Sequence, residues 1–303
     1  MTGYVLYGKF RKSFLSAQNL LIFFFATLLA TAFALPIFVT VTNSFMTGFE
    51  IQNRYDIDIL PANYFYTLEV LSHIHFIRMT VIPNWLSISQ YINLFQDVQY
   101  MTSLWSSVLI TAPSVLGQLV VSVPAAYAFE FSKWRHKEKL FFVYLVVMLM
   151  PLPVVLVPQF VMAGFLGISE SMLAVILPAI FGPFGVFLLR QFLKTLPVEF
   201  LEAAKIDGAG QLRILVSIVM PLLKPAIAAL ALLVFIDYWN VVDQALVFIT
   251  DPGLQPLSVY LGRLSGNFGI VFAASFFYML PALLVFLHGQ EYLVEGMRMS
   301  GLK

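Results

Sequence analysis

The chain has 303 residues, of which 60% are hydrophobic and 11% charged, with a formal net charge of +1. Soluble globular domains carry about 25% charged residues, so this composition describes a membrane protein, and the near-neutral balance excludes a nucleic-acid surface built on basic excess. With no cysteine there is no disulfide framework, thiolate nucleophile or Cys-based zinc site.

Residues 1–19 form a basic N-terminus with Lys9, Arg11 and Lys12, and the apolar run at 20–42 follows. That run is too long for a signal-peptide core and lacks a cleavage site, so it reads as a retained first span. A long, mildly acidic external loop comes next, at 43–102, with Glu50, Asp56, Asp58, Glu69 and Asp97 against Arg54 and Arg78. Its aromatics, Tyr55, Tyr64, Phe65, Tyr66, Phe76 and Trp85, read either as an interfacial belt or as a docking surface for an external partner. His73, His75, His136 and His288 lack the spacing of a helical metal pair, so no metal site is expected.

Windows of about 20 apolar residues, the length that crosses a bilayer, recur at 103–129, 139–163, 171–193, 225–249 and 270–288. Six spans place both termini on one side. Fourteen of the 17 Lys and Arg residues fall on that side, including Lys133, Arg135, Lys137, Lys139, Arg190, Lys194, Lys205, Arg213 and Lys224. Only Arg54, Arg78 and Arg263 fall opposite. The positive-inside rule makes the basic side cytoplasmic. Prolines interrupt the spans: Pro113 and Pro124 in the second, Pro151, Pro153 and Pro158 in the third, Pro178 and Pro183 in the fourth. Proline lacks a donor and clashes with the preceding turn, so the third span reads as a broken, cavity-lining helix or as a packing kink. A tight Gly164–Gly167 turn joins spans three and four into a hairpin.

Between spans four and five, at 194–224, lies a polar segment with its own punctuation. Pro197 suits the first turn of a helix, Glu199 and Glu202 suit its positive end, and Gly208 and Gly210 supply the stop. Helical spacing puts Phe200, Ala203, Ala204 and Asp207 on one face. A helix of this kind has little to bury itself against in a short loop, so it is expected to plug a groove on a partner. Its order is Glu-Ala-Ala from Glu202, three residues, Gly208, nine residues, then Ile-x-x-Pro ending at Pro221. This order resembles the EAA loop of ABC-importer permeases, where a cytoplasmic ATPase grips the membrane subunit.

The resemblance covers nearly the whole chain, and it is nearest to the carbohydrate branch that contains the second maltose-type permease subunit. Ala125-Ala126-Tyr127-Ala128-Phe129, Leu189-Arg190-Gln191-Phe192, Phe235-Ile236-Asp237-Tyr238-Trp239-Asn240 and the tail Gln290–Gly296 with Gly301-Leu302-Lys303 all match stretches of that family. Val241, Ala245 and Glu291 depart from it. The resemblance implies an all-α membrane protein with the six-helix type I ABC-importer permease fold (MetI-like): a core of five spans at 103–288 with a cytoplasmic EAA coupling helix, and a cytoplasmic tail at 289–303. It implies a multi-pass subunit of the bacterial inner membrane that imports a sugar or oligosaccharide by alternating access. The expected partners are a second, related permease as heterodimer, two ATP-binding cassette subunits, an external substrate-binding protein, the sugar and membrane lipid, with no nucleic acid. ATPase coupling falls to Phe200, Glu202, Ala203, Ala204, Asp207, Gly208 and Pro221. Gly301, Leu302 and Lys303 are expected to touch the ATPase along an extended path permitted by Gly296 and Gly301, or else form a dispensable end.

No catalytic residue is expected. No Gly-x-x-x-x-Gly-Lys-Ser/Thr loop occurs, so ATP and Mg belong to the partner ATPase and this chain binds no cofactor. Span five carries Asp237, Tyr238, Trp239, Asn240, Asp243 and Gln244. At helical spacing Asp237, Asn240 and Gln244 share a face, with Asp243 at its edge. They read as a substrate pathway or as polar glue to a neighbouring helix. A permease for a non-sugar solute and an ion-coupled secondary transporter are the alternative functions, the latter kept open by Asp237 and Asp243.

Overall fold

The computed structural model describes residues 17–55, 82–264 and 268–301, all of it helix, turn or loop. Lys9, Arg11, Lys12, Asp56, Asp58, Tyr64, Phe65, Tyr66, Glu69, His73, His75, Phe76, Arg78, Leu302 and Lys303 lie outside the described residues. Among the described residues, four helical stretches are long and apolar enough to cross a membrane, or up to six if each of two bent pairs is one span. The chain divides into two compact units, residues 1–94 with 265–276, and residues 95–264 with 277–303.

The first unit holds α1 (Ala17–Asn43), α2 (Gly48–Tyr55), α3 (Ser89–Gln96) and the start of α14 (Phe268–Gly301). Phe45, Tyr91 and Phe276 form a three-ring cluster, with Phe45–Tyr91 centroids 5.2 Å apart. Glu50 is turned inward, 7% exposed, where its Oε1 accepts from the Asn84 backbone N–H at 2.8 Å. One carboxylate of the mildly acidic loop therefore ties α2 to the backbone at Asn84.

The second unit is built on α4 (Val98–Phe131). Asp97 caps it, accepting from the Gln99 N–H at 2.8 Å and the Tyr100 N–H at 3.4 Å. One face of α4 carries Ser103, Ser107, Thr111, Ser114, Gln118 and Ser122, all buried. Small polar residues let helix backbones approach closely inside a membrane. Along this face α4 packs against α7 (Leu173–Ile180), α8 (Pro183–Leu193) and α11 (Lys224–Trp239). The approach is tight: a Cβ at Gly185 would lie 2.4 Å from Ser122 Oγ.

The third span is α5 (Lys137–Met148) and α6 (Leu152–Leu166), which meet at 106°. Pro151 has no N–H and drives the residue before it out of helical geometry, so the ladder stops there. Gly167, at φ +66, ends α6 in the left-handed region. Pro183 opens α8 and Gly182 before it is extended, which breaks the fourth span between α7 and α8. Ahead of the fifth apolar window lies α10 (Gln211–Leu222), which contains a π-helical turn at Leu215–Val219 and is bent by 77° against α11.

The span expected at 225–249 is not one helix. α11 stops at Trp239, and α12 (Asp243–Phe248) is a separate short helix. α13 (Leu257–Arg263) then returns to the head of α4, where Ser107 Oγ accepts from the Leu257 N–H at 2.7 Å and Tyr260 donates to Asp97 Oδ2 at 2.6 Å. Burial and the Asp97 carboxylate both push the Tyr260 phenol well above its ordinary range.

Candidate coupling segment and cavity

The segment between α8 and α10 contains α9 (Glu199–Ile206), with Glu199 and Glu202 in its first turn as the helix dipole favours. Gly208 adopts φ +79, and the Ala209 N–H closes on Ala204 O at 2.9 Å, capping the carbonyl end. A Cβ at Gly208 would meet no heavy atom within 4 Å, so the requirement for glycine there is conformational and not steric.

α9 is anchored in its own chain, contrary to the expectation that it lacks anything to bury against. Leu201 and Ala204 are 3% and 8% exposed, in one cluster with Phe192, Leu193, Ile214 and Leu215. Ala204 therefore seats the helix and leaves the outward face, because the core beneath α9 accepts residues three apart on its inner side. Phe200, Ala203, Ile206 and Asp207 face out, with Ile206 86% exposed and Phe200 56%. Glu202 is also exposed, while Pro221 lies in the last turn of α10, beyond the π turn.

Two ties hold the segment. Downstream, Tyr127 donates to Gln211 Oε1 at 2.7 Å, joining the end of α4 to the start of α10. Upstream, Arg190 of α8 is 2% exposed and donates through Nε to Glu130 Oε2 at 3.0 Å and through Nη2 to Glu138 Oε1 at 2.6 Å. Sequence reasoning named Arg190 among the basic residues and passed over Glu130 and Glu138. No short-range signal relates positions 130, 138 and 190, although the match of Leu189–Phe192 to a family stretch marked the arginine.

A cavity of about 950 Å³ opens between α5, α6, α7, the start of α8 and α11, with Gln118 of α4 at its side. Its polar lining is Gln118, Gln159, Asp237 and Tyr238 amid Val147, Met148 and other apolar residues. Gln159 Oε1 is buried without a protein partner, and Gln118 Nε2 reaches Gly182 O at 3.4 Å, at the break in span four. Of the six pathway candidates, only Asp237 and Tyr238 line this cavity.

Trp239 and Asn240 are engaged elsewhere. Trp239 is 3% exposed, its indole N–H donates to Tyr278 O at 3.1 Å, and Tyr278 donates to Asn240 Oδ1 at 2.6 Å. Trp239 also stacks between Phe235 and Tyr278, at 5.6 and 5.9 Å. The pair clasps the end of α11 to α14. Asp243 and Gln244 sit on α12, so the single polar face expected of Asp237, Asn240 and Gln244 does not form; the helix that would carry it ends at Trp239. At the other terminus α14 is continuous through Gly296 to Gly301, which replaces the expected extended path with helix over that stretch.

A family model described as "Binding-protein-dependent transport system inner membrane component" matches residues 118–299. The chain is 30% identical over 226 residues to an arabinooligosaccharides transport system permease protein of Halalkalibacterium halodurans, covering 73% of this chain and 81% of that one. It is 30% identical over 207 residues to a lactose transport system permease protein of Rhizobium radiobacter, covering 67% and 76%. Among solved structures, a chain of a bacterial ABC transporter involved in import of the acidic polysaccharide alginate superposes with a TM-score of 0.74, covering 92% of this chain and 99% of that one at 22% identity.

Proposed function

We propose, on the premise that this chain belongs to the family of binding-protein-dependent transport system inner membrane components, that it forms half of a sugar- or oligosaccharide-conducting pathway driven through α9. The chain is the permease subunit of an ABC importer and not an enzyme; it has the expected type I, MetI-like fold. The names of the arabinooligosaccharide and lactose relatives support a carbohydrate cargo. Family membership also removes the support for an ion-coupled carrier.

The observation that carries the coupling role is the outward face of α9, where Phe200, Ala203 and Asp207 stand clear on a helix pinned from behind by Leu201 and Ala204. A pinned helix with an exposed aromatic knob transmits a push. The side bearing the basic residues is cytoplasmic in this reading, so α9 meets a cytoplasmic ATPase and Glu202 pairs with one of its basic residues. A second, related permease supplies the other half of the pathway, a pair of ATPase subunits holds ATP and Mg, and an external binding protein delivers the cargo. Closure of the ATPase pair moves α9 and opens the pathway outward. Asp237 and Tyr238, on the cavity wall, meet the cargo through carboxylate and phenol, groups that suit hydroxyls.

Glu202→Lys and Gly208→Val test the coupling role in the assembly reconstituted with both ATPases, the second permease and the binding protein. Each should abolish transport with insertion unchanged: Glu202→Lys because losing one partner of a desolvated charge pair costs about 2–5 kcal/mol, Gly208→Val because a β-branched residue resists the left-handed turn at φ +79. Normal substrate-stimulated ATP hydrolysis in both variants would sink the reading.

A further inference from the structure

We propose that Arg190 is a positioning residue of the transport cycle, joining α8 to α5 so that displacement of the coupling helix moves the α5 wall of the cavity. The inference rests on the coupling role proposed for α9 and supplies a route from that helix to the α5 side of the cavity.

Arg190 stands at the end of α8, just before the coupling segment. Besides its bonds to Glu130 at the end of α4 and Glu138 in the first turn of α5, its guanidinium carbon lies 4.0 Å over the ring centroid of Phe141, also on α5. Phe141 is buried, with the Phe129 ring set edge-on at 5.5 Å. Lys137 Nζ closes the α4–α5 corner by donating to Glu130 O at 2.7 Å. One side chain of α8 thus bonds or stacks on two other helices, α4 and α5.

A buried ion pair is poor evidence for stability, because desolvation offsets most of the attraction. Arg190 also leaves Nη1 buried without a partner, which is a further cost. What the arrangement supplies is register: the planar fork fixes two carboxylates and stacks on a ring at once, which a lysine ammonium does not do. α5 is a rod of 12 residues, about 18 Å long. Its first turns are fastened to α8, and its last residues, Val147 and Met148, line the cavity ahead of the bend. Movement of α8 with the coupling segment therefore reaches the cavity through α5.

The test uses the complete assembly with Val147→Cys as its one thiol. Its labelling rate with a water-soluble maleimide is compared without nucleotide and with ATP trapped. The parent rate should change on the order of tenfold between the states, within the range of allosteric couplings, and the change should fall below about twofold in Arg190→Gln and in Glu138→Gln. Transport per ATP should fall with it while subunit abundance holds, and Arg190→Lys should restore part of the response. Glu138→Gln guards against misfolding, because the Glu138 side chain is 64% exposed and Arg190 keeps Glu130. A responsive parent whose variants respond equally overturns the inference alone. A parent that labels identically in both states overturns the coupling reading, and the inference with it.

Discussion

Gly208 shows how one dihedral angle carries a mechanical requirement. Its φ of +79 costs an L-residue with a Cβ about 1–2 kcal/mol, and nothing nearby blocks the methyl group itself. Gly208→Ala should therefore cut transport less than Gly208→Val, and Gly208→Asn less still, because asparagine visits the left-handed region more readily. A ranking by side-chain volume that ignores asparagine's preference would count against this account. Tyr260 offers a titration. Its folded pKa is raised, so its contribution is complete below the unfolded value of about 10 and declines as pH rises beyond it, when the unfolded chain releases its proton first. Melting temperature should fall more steeply above about pH 10 in the parent than in Tyr260→Phe; parallel profiles would remove the residue from the balance. The glycine was legible from its place after a helix. The tyrosine was not, since its partner Asp97 lies 163 residues away.

Helix contacts depend on what each backbone can approach. Gly185→Ala puts a methyl 2.4 Å from Ser122 Oγ and 3.0 Å from Ser122 Cβ, so α4 and α8 must part. Overpacking of this kind typically costs about 1–3 kcal/mol. Ser122→Ala removes the nearer atom and a buried hydroxyl without a partner, so the double variant should melt above Gly185→Ala alone. Equal melting temperatures would mean that the contact relaxes freely. The elements themselves were largely readable: the apolar windows fall on helices, and Pro151, Pro183 and Gly167 marked real ends. The misreading fell on span five, where the window at 225–249 reads as one helix. The backbone instead turns at Asn240, held by Tyr278 from a helix far along the chain. Packing from a distant element decided that boundary, and no local propensity encodes it.

For the whole molecule, composition and motif order were enough for the family, because a membrane bundle advertises its spans and the coupling segment its spacing. Which polar residues share one cavity was beyond reach, since Gln118, Gln159, Asp237 and Tyr238 come from three helices far apart in the chain. The absence of cysteine makes the outcome measurable. Single cysteines at 237 and 238 should be labelled by water-soluble reagents in at least one nucleotide state, and one at 239 should remain protected behind its stacked rings. Labelling at 239 with none at 237 would remove the cavity from the pathway.

The 106° corner between α5 and α6 works as an elbow. A straight rod passes a push along its axis, whereas an elbow turns a sideways nudge on one arm into a swing of the other. No continuous helical ladder crosses the corner, and Pro151 has no donor to lose there, so the angle can open or close without breaking a regular helical turn. In the reading proposed for Arg190, a displacement at the clamped arm then swings α6, which packs against α7 and α12.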